Sequence, residues 1–366
     1  MPWFINILRW VLLPLVLPYQ GALIIRHFLY DRHWLPVHKL PRPVISVGNI
    51  QLGGTGKTPL VMELLRLLEA RGYRVAVLSR GYRRRRRTGN VVVKAGGAPD
   101  GCSWRLVGDE PWMIFRRLQR GVLGVGKNRY RVGLEVLRHQ EVDLFLLDDG
   151  MQHRRLHRDV EICLVDVSRW SGGSLVFPFS FLRDVPQALQ RTTGIVLTKW
   201  ENHSKKLASV KQDLRRWTST PLLQGRITPV AIRKWPEGAT VSREIFLREP
   251  CGAFCGIANP DHFLTILHKL HIRPRLFVPY PDHHAYREKD LRRLIRWGKQ
   301  QGIRHFLTTE KDAVRIDDYR QIMEEETVAF YFVEVRFQLE HPERFWHWVE
   351  AGLGRRSRIP EGQERN

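Results

Sequence analysis

The sequence predicts an α/β protein: a P-loop kinase-like domain with a mostly parallel sheet, a second smaller α/β domain, and a cleft between them. Three observations lead there. Short apolar runs alternate with helix-spaced segments along most of the chain. One such run passes through a glycine-rich loop, Gly53-Gly54-Thr55-Gly56-Lys57-Thr58, straight into a helical pattern. At 366 residues the chain suits two domains better than one.

The first element lies at the amino terminus. Trp10 to Ile25 is nearly all apolar, is bounded by Arg9 and Arg26, and is interrupted by Pro14 and Pro18. It is shorter than the ~20 residues of a spanning helix, and no small-x-small cleavage site follows it. Residues 1–28 are therefore expected to form a helix lying in or dipping into a membrane interface; an ordinary buried first helix is the alternative. Pro43 to Ile50 reads as a buried strand ahead of the glycine loop. Lys57 to Arg71 is helical, with Leu60, Val61, Leu64, Leu65 and Leu68 on one face and Gly72 closing it. Arg74 to Leu78, Leu144 to Leu147, Glu161 to Val167 and Gly194 to Thr198 are further strand-like runs.

Beyond Pro229 the character changes. Residues 29–229 are expected to form the P-loop domain and 230–249 a charged connector or strand pair. Residues 250–351 form the second domain, with strands at Gly252 to Ala258, Arg275 to Val278, His305 to Thr308 and Val328 to Val335 and a helix over Asp290 to Lys299. Residues 352–366 are polar and read as a loose tail.

Sixty Lys plus Arg against 37 Asp plus Glu give a formal net charge of +23. That excess favours anionic partners, whether nucleic acid, an anionic membrane surface or a phosphorylated substrate, without choosing among them. No nucleic-acid recognition motif or aromatic stacking pattern accompanies it, so nucleic acid is not expected. Four cysteines with no disulfide framework suit a reducing compartment; Cys163 reads as a buried thiol, and Cys251 and Cys255 lack partners for a zinc site.

The chemistry centres on the glycine loop. Glycines let backbone amides wrap a phosphate, and the following helix adds its positive end. Lys57 is placed to reach the β- and γ-phosphates of ATP, and the Thr58 hydroxyl to ligate Mg²⁺. The nucleotide-binding stretch is Gln51, Leu52, Gly53, Gly54, Thr55, Gly56, Lys57 and Thr58, with Gln51 where the G-x-x-x-x-G-K-[ST] pattern has glycine. Asp148-Asp149, at the carboxyl end of a buried strand, is the candidate Mg²⁺-binding pair; Asp149-Gly150 also suits a simple turn. His153 could contact phosphate or satisfy that turn. In Val107-Gly108-Asp109-Glu110-Pro111, spacing favours Asp109 as a helix N-cap, while a carboxylate beside ATP could instead accept a proton. Asp282-His283-His284 suits a polar loop as well as a functional one, and Thr308 to Asp312 reads as a capping sequence.

Taken in order, these segments resemble the tetraacyldisaccharide 4'-kinases of lipid A synthesis. The stretches that carry the resemblance begin with Ser46 to Ile50, Gly53 to Pro59, Ser79-Arg80-Gly81-Tyr82 and Val107 to Pro111. They continue with Asp148 to His153, Leu197-Thr198-Lys199, Pro281 to His284 and Leu307 to Asp312. The resemblance implies transfer of the γ-phosphate of ATP to the 4'-hydroxyl of a tetraacylated glucosamine disaccharide 1-phosphate, with Mg²⁺. It places the enzyme at the cytoplasmic face of the bacterial inner membrane as a peripheral or monotopic protein, with no obligate protein partner. It implies Asp109 as the catalytic aspartate with His283 as its partner, overturning the cap-only reading, and Asp148 and Asp149 as the metal pair. The family's L-P-A-G-x-L-R-E segment appears as Phe177 to Asp184, with its small residues lost and Glu replaced by Asp184. Met151 replaces a family Phe. The run Arg83 to Arg87, not expected of the family, suits a solvated loop or contact with anionic lipid. A membrane-associated ATPase switch is the rival; such proteins carry an extra lysine where Leu52 stands.

Overall fold

The alternating runs form a single 13-stranded sheet in the computed structural model, which describes residues 3–82, 84, 89–97 and 102–354, apart from the side chains of 3–13 and 15. The strands are β1 (Val44–Asn49), β2 (Val75–Ser79), β3 (Val91–Lys94), β4 (Gly121–Val125), β5 (Leu144–Asp148), β6 (Val160–Asp166) and β7 (Gly194–Thr198). After them come β8 (Leu222–Trp235), β9 (Thr240–Val241), β10 (Cys251–Cys255), β11 (Leu276–Pro279), β12 (His305–Thr309) and β13 (Ala329–Leu339). Their order across the sheet is β11-β10-β12-β13-β8-β7-β6-β1-β5-β2-β4-β3, with β9 attached to β8. Pairing is parallel except at β13–β8, β8–β9 and β3–β4.

Every residue of β1, β2, β5, β6 and β7 is buried, as parallel strands covered by helices on both faces require. Their unbroken apolar character follows from that, and so does the ease of finding them in the sequence. The helix α2 (Lys57–Ala70) lays Leu60, Val61, Leu64, Leu65 and Leu68 on one face of this sheet, together with Ile45, Val47, Leu146 and Ile162. The anticipated boundary at 229/230 falls inside β8. Residues 222–224 of that strand pair with β7, and residues 225–235 pair with β13, so one strand belongs to both halves.

The amino-terminal helix, α1 (Trp3–Asp31), runs through Pro14 and Pro18 rather than stopping at them. Val16, His27 and Tyr30 are buried, whereas Leu17, Tyr19, Ile24, Ile25 and Phe28 are exposed. Among the described residues no helix is long and apolar enough to cross a membrane. The carboxyl end of α1 is fastened by polar contacts: His27 Nε2 lies 2.6 Å from Asp184 Oδ1, and Arg154 Nη2 lies 2.6 Å from Asp31 Oδ1.

Of the arginine run, only Arg84 falls among the described residues. It is buried, donating to the carbonyls of Gly89 (2.7 Å) and Val125 (3.4 Å), which answers neither lipid contact nor solvated loop for its neighbours. Residues 355–366 of the expected tail also lie outside the described residues. Cys251 and Cys255 sit inside the buried strand β10, where burial pushes their thiols up to about 11 and about 12. Cys163 is likewise buried within β6.

Candidate active site

The chain leaves β1 at Asn49 and enters α2 at Lys57 through a loop with two left-handed glycines, Gly53 and Gly56, both at φ 95°. An L residue at either position would be strained. Gln51, the irregular position of the motif, is 1% exposed and has a definite task. Its Nε2 donates to the Asp166 carbonyl (3.1 Å) and its Oε1 accepts from the Asp166 amide (2.7 Å), clamping the loop's entrance to the end of β6. Glycine could not make that clamp. From the other side, Lys199 Nζ donates to the Gly54 carbonyl and to Asp166 Oδ2, both at 2.6 Å. Leu52 is 37% exposed at the loop's outer edge. Thr55 is buried with its hydroxyl unpartnered, and Thr58 lies in the first turn of α2. Lys57 Nζ stands 3.3 Å from Asn49 Oδ1 and 3.7 Å from Asp149 Oδ1.

Asp148 and Asp149 follow at the carboxyl end of β5, next to β1. Neighbouring strand residues normally point to opposite faces, but Asp149 turns at φ 53°, and both carboxylates feel the charge of Lys57. Their environments differ. Asp148 is 3% exposed, accepts from Ser79 Oγ at 3.3 Å and keeps Oδ1 without a partner. Burial, with Glu110 and Asp149 nearby, pushes its carboxyl up to about 7. Burial acts the same way on Asp149, but Lys57 and Arg183 outweigh it and hold that carboxyl well below the usual range. Arg183 donates to both Asp149 oxygens, at 2.5 and 3.3 Å. His153 instead makes the turn, its amide donating to Gly150; burial and four surrounding arginines push its ring down to about 3.

Asp109 opens the helix Asp109–Arg117, and Gly108, at φ 104°, occupies the cap position expected for it. The aspartate is 6% exposed and its oxygens are turned to other work. Oδ1 accepts from the Glu110 amide at 2.9 Å. Oδ2 accepts from Arg315 Nε at 2.8 Å and from Arg315 Nη2, and lies 2.9 Å from His283 Nδ1. Burial alone would raise the Asp109 carboxyl; His283, Lys311 and Arg315 together hold it well below the ordinary range. Lys311 Nζ reaches His283 Nε2 at 3.2 Å and Glu110 Oε1 at 2.7 Å. Both ring nitrogens thus face a cation, Nε2 that of Lys311 and Nδ1 that of Arg315 Nη2 at 3.1 Å, with Asp109 beside Nδ1. His283 is shaped by its own backbone, at φ 57°, with its amide on the Gly256 carbonyl at 3.0 Å. His284 turns away to Asp290 at 3.1 Å. The pairing of Asp109 therefore falls to His283 and not to its neighbour.

Known proteins match this arrangement over most of its length. The family description Tetraacyldisaccharide-1-P 4'-kinase matches residues 8–354. The tetraacyldisaccharide 4'-kinase of Syntrophus aciditrophicus is 32% identical over 339 residues, covering 90% of this chain and 89% of that protein. The corresponding protein of Geobacter metallireducens is 35% identical over 306 residues, covering 82% of this chain and 87% of its own length. A crystal structure of LpxK from Aquifex aeolicus in complex with ATP is 29% identical, covers 95% of this chain and 100% of that one, and superposes with a TM-score of 0.76. The chain belongs to this family.

As a member of the tetraacyldisaccharide 4'-kinases it is a kinase with a P-loop fold, and the ordered motifs of the sequence fall together in space. Asp109, His283 and Lys311 meet at one point, although they are spread over three distant segments. Several partners had no signal of their own. Glu110, Lys311 and Arg183 lie inside segments compared with the family but carry no role of their own there, and Arg315, which has no side-chain exposure, lies outside all of them. The spacing of Lys311 and Arg315, four apart on the helix Glu310–Arg315, was the one available clue. Thr309 caps that helix, accepting from the Asp312 amide, as the capping pattern indicated. The departure at Asp184 is also explained: the shortened acid is fully buried and holds His27 of α1.

Proposed function

We infer that this kinase moves the γ-phosphate of ATP to the 4'-hydroxyl of a tetraacylated glucosamine disaccharide 1-phosphate, forming lipid IVA in lipid A synthesis. The observation that carries the residue assignment is the contact between Asp109, beside the P-loop half, and His283, from residues 250–351. In this reading ATP lies along Gly53 to Thr58 with Lys57 on its β- and γ-phosphates. Asp109 receives the proton of the 4'-hydroxyl at Oδ1, whose second lone pair has no partner in the hydrogen bonds described above. His283 and Arg315 hold the carboxylate ionised and oriented. A carboxylate held so low is a weak base, which suits a loose phosphoryl-transfer transition state in which the attacking hydroxyl gives up its proton late.

Thr58, Asp148 and Asp149 fit Mg²⁺. The unpartnered Asp148 Oδ1 and the carboxylate crowding that raises its carboxyl are what a cation there would relieve. No group of three or more acidic, His or Cys side chains converges as a metal cage among the described residues. That also suits Mg²⁺, which takes one or two carboxylates and fills its shell with phosphate and water oxygens. When bound, it would neutralise charge on the phosphates. The exposed apolar residues of α1 support attachment to a membrane surface, in this reading the cytoplasmic face of the inner membrane, where the acyl chains stay while the sugar enters between the two halves.

Purified protein with γ-labelled ATP and the lipid disaccharide tests this reading. Label should appear on the lipid. ATP consumption with no lipid label would overturn it in favour of an ATPase switch.

A further inference from the structure

Residues 176–184 form a strap across the P-loop that phosphoryl transfer alone does not explain. The strap's backbone is tied to the loop: the Leu52 amide donates to Phe181 O at 2.7 Å, and the Arg183 amide donates to Ile50 O at 2.8 Å. It is tied equally to α1, through the Val176 amide on Gln20 Oε1 (3.2 Å) and through Asp184 on His27. Val176 and Leu182 are buried together with Val16 of α1. Phe177 and Phe181 are not; they remain 56% and 44% exposed. In the family's L-P-A-G-x-L-R-E segment, Phe177 stands at the leucine and Phe181 at the variable position.

The helix α1, to which the strap is tied, also exposes apolar side chains. Leu17, Ile24 and Phe28 follow at spacings of seven and four, which places them on one face, and all three are about half exposed. Gln20 and His27, which hold the strap, each come three residues after a member of that stripe and so border it on one side. Arginines rim the same surface: the Arg169 guanidinium lies 5.1 Å from the centre of the Phe181 ring, and that of Arg32 lies 5.2 Å from the centre of the Phe28 ring. Apolar rings edged by cations are the pattern that suits the boundary between anionic head groups and acyl chains.

We propose that Phe177 and Phe181 are a second membrane contact, entering the same anionic bilayer interface as α1. The proposal rests on the reading that α1 lies in that interface. Two contacts define an orientation where one helix would leave rotation free, and they set the mouth of the P-loop at head-group level. A lipid-borne hydroxyl then meets the nucleotide without leaving the membrane.

Sedimentation of the full-length protein with vesicles of phosphatidylethanolamine and phosphatidylglycerol tests this. The variants are Phe177→Ser, Phe181→Ser, the double variant, and Ile25→Ser on α1, with melting temperature as the control for folding. Each Phe→Ser change should lower vesicle partitioning roughly tenfold, and the pair on the order of a hundredfold, with little change in melting temperature because the rings already face water. Phe177→Trp should retain binding. If wild type ignores vesicles, both the α1 reading and this proposal fall. If Ile25→Ser loses binding while the Phe variants keep it, α1 stands and the strap proposal falls. Unchanged vesicle binding with a raised KM for acceptor in detergent would make the rings acyl-chain contacts of the substrate, which also overturns the proposal.

Discussion

Replacing Asp148 with Asn should make the metal-free protein more stable while removing its ability to hold Mg²⁺. The magnitude follows from the site. Burial and the neighbouring carboxylates push Asp148 from an ordinary 3.8 up to about 7. Each unit is worth about 1.4 kcal/mol, so ionising this group in the fold costs at most about 4 kcal/mol. Asn removes that cost but weakens the bond from Ser79, worth about 1 kcal/mol, leaving a net gain of roughly 2–3 kcal/mol. The sign with pH is definite. Between pH 3.8 and 7 the folded protein keeps a proton that the unfolded chain has released, so wild-type stability falls as pH rises across that window. The advantage of Asn is therefore complete at pH 8, about a third as large at pH 5.5, and reversed near pH 4, where only the weakened Ser79 bond is left. Urea unfolding in EDTA at pH 8 and 5.5 measures it directly. A variant less stable than wild type at pH 8, or a gain independent of pH, would refute the account of Asp148 as a carboxylate awaiting a cation.

Three further perturbations separate the roles of neighbouring groups. Asp109→Asn should lower turnover by ~10²–10⁴-fold with ATP affinity retained, measured by steady-state kinetics beside nucleotide-binding calorimetry; near-normal turnover would remove it as the proton acceptor. Arg315→Met should destabilise the fold by about 3–5 kcal/mol in denaturant titration, because Asp109 and Asp312 would be left buried without their shared cation. Gln51→Ala should raise the KM for ATP and cost about 1–3 kcal/mol of stability, since the amide and carbonyl of Asp166 lose their partners; an unchanged KM would show that the clamp does not shape the loop.

What the sequence reveals and hides follows the range of the forces involved. The strands β1, β2, β5, β6 and β7 are legible because burial on both faces demands unbroken apolar runs. β4 carries glycine at both Gly121 and Gly124, and β3 is a four-residue edge strand, so neither has a run long enough to stand out. β8 is concealed by Arg226, Pro229, Arg233 and Lys234, which its partly exposed faces tolerate. The P-loop is legible because one short segment contains its whole geometry. The environment of Asp109 is not, since Arg315 is 206 positions away and nothing local marks a fully buried arginine. The ordered motifs bridge that gap for Asp109 and His283; Lys311 lies in one of them, but its contact with His283 appears only in the folded chain.

The two-sided strand β8 also shapes the birth of the protein. Its outer edge from Gly225 to Trp235 is sealed only by β13, which leaves the ribosome roughly a hundred residues later. Until then the nascent chain carries a long open strand edge beside an otherwise finished half-sheet, the kind of template on which other chains aggregate. Proline at 229 and the charged Arg226, Arg233 and Lys234 sit along that waiting edge, where they discourage a foreign strand before the proper one arrives.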